Sequence, residues 1–95
     1  MIDGKMTDFI NQLYLGQEIV FLYKQKKFFI QGWWDEAEKV ATMVLTKADD
    51  QPFNGYLWQY QSDKMWKCAE AFLSARLWEG KCFEQIEKEV TWSDW

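Results

Sequence analysis

Two apolar runs, Ile19-Val20-Phe21-Leu22-Tyr23 and Lys27-Phe28-Phe29-Ile30-Gln31-Gly32-Trp33-Trp34, decide the fold class. Their β-branched and aromatic side chains fall on both faces of each run, the pattern of interior strands rather than of an amphipathic helix. Gln25 and Lys26 are the expected hairpin turn between them, and Gly32 marks a bulge or a close backbone approach. A third strand is read over residues 39–47, where Val40, Thr42, Val44 and Thr46 carry β preference. The acids of residues 35–38 lie in the connection before it. Residues 48–55 hold Asp49, Asp50, Pro52 and Asn54-Gly55, which are turn chemistry. A fourth strand follows over 56–60, with Tyr56, Trp58 and Tyr60 on one face and Leu57 and Gln59 on the other.

Helices flank these strands. Met6, Phe9, Ile10 and Leu13 recur at helical spacing and predict a helix over 7–15, capped by Thr7 and stopped by Gly16. Ser62 reads as the N-cap of a second helix, with Asp63 suited to the positive end of its dipole. Its apolar arc is Met65, Trp66, Ala69, Phe72, Leu73 and Leu77. Arg76 intrudes on that arc, so the helix is expected to unwind after Ala75. Gly80 then separates a last short helix over 81–90, whose Phe83, Ile86 and Val90 share a face. The order α-β-β-β-β-α-α implies an α+β fold: a four-stranded, mainly antiparallel sheet with helices packed on one face, in one compact domain over residues 1–95. A chain of this mass folds to a surface of roughly 5,800 Å², enough to enclose one modest core.

The stretch from Tyr14-Leu15-Gly16-Gln17-Glu18 through Tyr23, with Phe28-Phe29-Ile30-Gln31-Gly32-Trp33, resembles a pattern in small single-domain hypothetical proteins of Gram-positive bacteria. Ala69-Glu70-Ala71-Phe72-Leu73, Trp78-Glu79-Gly80-Lys81 and Glu84-Gln85-Ile86 extend the resemblance over most of the chain. Such proteins often carry Gly in the first hairpin turn, where this chain has Gln25 and Lys26. The shared motifs are structural, and the resemblance implies no activity and no site residue.

Composition excludes several classes of function. The chain has 48% hydrophobic and 27% charged residues and only one proline, so it is not a disordered segment. Its net charge is −4, and its one basic run, Lys24, Lys26 and Lys27, falls in a turn. A nucleic-acid partner, held by clustered cations through counterion release, is therefore not expected. No histidine is present, which removes the commonest general acid/base, the Ser-His and Cys-His pairs and imidazole metal ligands. Cys68 and Cys82 are too far apart for a Cys-x-x-Cys motif and are expected as free thiols in a reducing compartment. The glycines make no phosphate-binding loop. The expectations are a cytoplasmic protein without membrane segment, catalytic residue, metal or cofactor, and therefore not an enzyme.

Aromatics and acids remain. Seven Trp among 19% aromatic residues exceed what a core of this size needs. Phe9, Phe21, Phe29, Trp66, Phe72 and Phe83 are assigned to the interior, whereas Trp34, Trp58, Trp92 and Trp95 fit it less well. Trp and Tyr dominate interface hot spots because they offer rigid area with a polar handle. Between positions 35 and 50 the acids Asp35, Glu36, Glu38, Asp49 and Asp50 outnumber Lys39 and Lys47. Solvated turn acids are the plain explanation of these clusters, and neither has the ligand spacing of a calcium loop. Set beside Trp34 and Trp58, they make Trp34, Asp35, Glu36, Asp49, Asp50 and Trp58 the candidate partner-binding residues. The leading expectation is a protein-binding, immunity- or inhibitor-like protein with a basic protein partner. The alternative is a small-molecule or carbohydrate-binding module, with an aromatic cleft at Trp58 or Trp34 rimmed by Gln31, Asn54 or Gln59.

Overall fold

In the computed structural model, which describes residues 1–48 and 55–92, the first hairpin is the centre of construction. β1 (Ile19–Tyr23) and β2 (Lys26–Asp35) pair antiparallel, with Ile19 opposite Ile30 and Tyr23 opposite Lys26. β3 (Val40–Lys47) and β4 (Trp58–Ser62) continue the meander in the order β1-β2-β3-β4, every pair antiparallel. Alternation then sends Ile19, Phe21, Tyr23, Phe28, Ile30, Ala41, Met43 and Leu45 to one face. There they meet Phe9 and Leu13 of α1 (Met6–Tyr14), Phe72 and Leu73 of α2 (Met65–Ser74), and Phe83 and Ile86 of α3 (Phe83–Ile86). Rings fill this layer: Phe9 stacks on Phe83 at 4.9 Å, and Phe28 meets Trp78 edge-on at 5.1 Å. The folded surface is 6012 Å². The expected α+β architecture and element order are those observed.

Local chemistry moved several boundaries. The turn residues of the first hairpin are Lys24 and Gln25, both at positive φ (50° and 66°), not Gln25 and Lys26. Pairing of Tyr23 with Lys26 leaves those two as the loop, and positive φ at both is the primed geometry that suits strand twist. Thr7 lies inside α1, whose N-cap is Lys5. Ser62 ends β4 rather than capping α2, because its register against Ala41 holds it in the sheet; Lys64 is the N-cap. β4 accordingly begins two residues later than read, at Trp58. The last helix starts at Phe83, since Trp78 and Lys81 exchange backbone hydrogen bonds at 3.1 Å, and it becomes a 3₁₀ turn over Glu87–Glu89. Unwinding after α2 occurs where expected, with Ala75 already extended.

Burial corrects three aromatic assignments. Phe29 projects from the face opposite Phe28 and Ile30, away from the helices. Trp66 is 48% exposed, since the inner stripe of α2 is Cys68, Ala69, Phe72 and Leu73 and leaves Trp66 at its margin. Trp92 is only 4% exposed: it closes the core edge-on to Phe9, where the chain ends meet through Ile2 and Thr91. Trp95 lies outside the described residues, as do Pro52 and Asn54 of the expected turn. Among the described residues, no helix is long and apolar enough to cross a membrane.

Candidate functional site

The end of the β2–β3 hairpin gathers the first three candidates. β2 runs through Trp34 to Asp35, which pairs with Val40 across a short acidic loop. The Asp35 Oδ1 accepts the backbone N–H of Ala37 at 3.0 Å and of Glu38 at 3.1 Å, and its carbonyl accepts the Lys39 N–H at 2.8 Å. Asp35 thus builds the turn through its side chain, the local bonding at which Asp excels. Lys39 sits at φ 58° to close the loop. Glu36 is held from two sides. The Trp34 indole Nε1–H donates to its Oε2 at 2.9 Å, and the Lys39 ammonium donates to the same oxygen at 3.1 Å. The indole bond first, and the Lys39 bond second, hold the Glu36 carboxyl below the usual glutamate range.

Two adjacent tryptophans stand in water here, Trp33 at 41% and Trp34 at 46% exposure. Consecutive strand residues point to opposite faces, so Trp34 lies on the helix side opposite Ala41 and Trp33 on the other face opposite Thr42. That face continues through Gln31, Phe29 and Val44, and it closes toward its middle, where Thr42 and Val44 are buried. Trp33 and Lys39 were missed from sequence, although the alternation that exposes Trp33 is visible once β2 is known to run to Asp35. Chemically the hairpin end offers a hydrogen-bonded indole, an ion-paired glutamate and the Glu38 carboxylate, which suit contact rather than bond-making.

Trp58 is elsewhere. It lies on β4, stacked parallel to Tyr60 at 6.1 Å and set edge-on to Phe72 at 5.6 Å, half-buried against the core. Asp49 and Asp50 lie outside the described residues. Three concavities of about 470, 420 and 160 Å³ are lined chiefly by Glu70, Arg76 and Glu84, by Asp3, Asp8 and Asn11, and by Lys24, Trp78 and Glu79. None of the three includes Trp34 or Trp58. Among the described residues no three His, Cys, Asp or Glu side chains converge as metal ligands. Both cysteines are free; burial pushes the Cys68 thiol up, and its Sγ–H donates to the Ala41 carbonyl at 3.5 Å. Comparison of the chain with protein-family models, curated proteins and solved structures finds no match in any of the three.

Proposed function

We propose that the chain is a non-enzymatic cytoplasmic protein of the inhibitor or immunity kind, which meets a basic protein through the hairpin end of Trp33, Trp34, Asp35 and Glu36. One observation carries this reading: Trp34 is nearly half exposed yet held in one orientation by its bond to Glu36. An aromatic anchor already fixed in place loses little freedom on binding, so more of its desolvation appears as affinity. The acid excess of the chain steers a cationic partner toward it. The carbohydrate-cleft alternative draws less support, because Trp58 spends its ring on Tyr60 and Phe72 rather than on a concave wall.

The test is retention of native lysate proteins on immobilised wild type and on Trp33→Ala and Trp34→Ala side by side. The reading expects a basic protein that wild type retains, that rising salt releases, and that both variants lose. Retention indifferent to both variants, or none at low salt, overturns it.

A further inference from the structure

We infer that the free edge of β4 pairs antiparallel with β4 of a second copy, about a twofold axis at Tyr60, joining two four-stranded sheets into one. The direction of the backbone groups fixes which residues face outward. The Ala48 N–H donates to the Lys27 carbonyl at 2.9 Å, and the Gly32 N–H donates to the Gly16 carbonyl, on the β1 side, at 3.0 Å. On β2 the odd positions therefore bond β3 and the even ones face β1. Carried across the register, Ala41, Met43 and Leu45 turn their backbone groups to β4, and Ser62, Tyr60 and Trp58 answer them. The Leu45 carbonyl also accepts the Leu57 N–H, at 2.8 Å, so Leu57 and Trp58 both oppose Leu45 and the alternation runs from Trp58 onward. Gln59 and Gln61 then aim N–H and C=O away from the sheet, with no backbone partner among the described residues.

The opposite edge is treated differently. On β1, the outward N–H and C=O of Leu22 are both taken by Thr91 at 2.9 Å, and Ile2 fastens the same segment. Among the described residues β4 has no such cover, and Trp58-Gln59-Tyr60-Gln61-Ser62 contains no lysine, proline or charge, the usual devices that keep edges apart. The sequence of that edge fits itself. Centred on Tyr60, Gln59 of one copy faces Gln61 of the other in two hydrogen-bonded pairs, and Trp58 faces Ser62. Within the paired strands no charge meets its like. A twofold contact uses the same patch on both copies, and this register meets that condition.

Sedimentation and a register-specific crosslink test the pairing. Wild type is expected at twice the monomer mass at high concentration, dissociating on dilution. Gln59→Pro removes an outward N–H without touching the β3–β4 ladder, and Tyr60→Lys sets two ammonium groups face to face. Both are expected as monomers with wild-type circular dichroism. In a Cys82→Ser background, Tyr60→Cys meets its own copy at a non-hydrogen-bonded pair, with Cα atoms about 4.5 Å apart, within disulfide reach. It is expected to crosslink on mild oxidation, whereas Leu57→Cys, three residues from the twofold axis and outside the paired strand, is not. A wild type that stays monomeric up to about 1 mM, a dimer that survives Gln59→Pro and Tyr60→Lys, or equal crosslinking at 57 and 60 overturns the inference.

Discussion

Glu36 shows how one side chain ties local structure to recognition. Its carboxyl sits below the usual range because the Trp34 indole and then Lys39 bond to the charged form. A group with a lowered folded pKa contributes order that is complete above its unfolded pKa and is lost as pH falls through the folded value. NMR titration is expected to place Glu36 below ordinary glutamates, and Trp34→Phe to move it back up. An unmoved value in that variant refutes the indole bond. Gly32 makes a second residue-scale case. A Cβ there would stand 2.8 Å from the Met65 Sδ and 3.3 Å from the Gly16 Cα, so α2 and the end of α1 close over bare backbone. Gly32→Ala is expected to cost about 1–3 kcal/mol by overpacking. Chemical denaturation checks this, and Met65→Ala in the same chain returns part of the loss because the sulfur is one of the two obstacles. The close approach at Gly32 was legible in the sequence as a glycine inside a strand, but what approaches it was not, since Gly16 and Met65 come from distant parts of the chain.

At the scale of elements, every strand and helix was legible from periodicity, and the errors sit at boundaries. Thr7 and Ser62 are good capping residues by type, yet neither caps, because α1 begins one residue before Thr7 and β4 holds Ser62 in the sheet. The first turn was misplaced by one residue since neither Lys24 nor Gln25 advertises a left-handed conformation. That conformation carries a cost which glycine does not bear. Gln25→Gly is therefore expected to stabilise the protein by roughly 0.5–1 kcal/mol, the gain at positive φ exceeding the added freedom of the unfolded chain. Urea unfolding measures it, and a loss of stability would mean that the turn does not hold φ above zero. Lys24→Ala, which removes an exposed ion pair with Glu79 at 3.1 Å, is expected to change little.

Across the whole molecule, one layer of rings supplies the stability and leaves other aromatics free for contact. Phe72 is fully buried and touches Trp58, Trp78 and Phe83, so Phe72→Ala is expected to cost about 3–5 kcal/mol. That is much of the roughly 5–14 kcal/mol available to a chain of this length. Trp66→Ala, on an exposed ring, is expected to stay within about 1 kcal/mol in the same urea experiment. Which aromatics belong to which set was only partly readable from sequence. Strand parity separates Phe28 from Phe29, but the burial of Trp92 depends on the meeting of the two chain ends. Trp34 decides the functional account, because a core tryptophan and a contact tryptophan differ in what their removal costs. The most direct measurement is the melting temperature of Trp34→Ala beside its affinity for the partner that wild type retains. The account predicts a melting temperature within a few degrees of wild type and affinity weakened by about 2 kcal/mol or more, some thirtyfold. A fall of many degrees with affinity unchanged would place Trp34 in the core and contradict it.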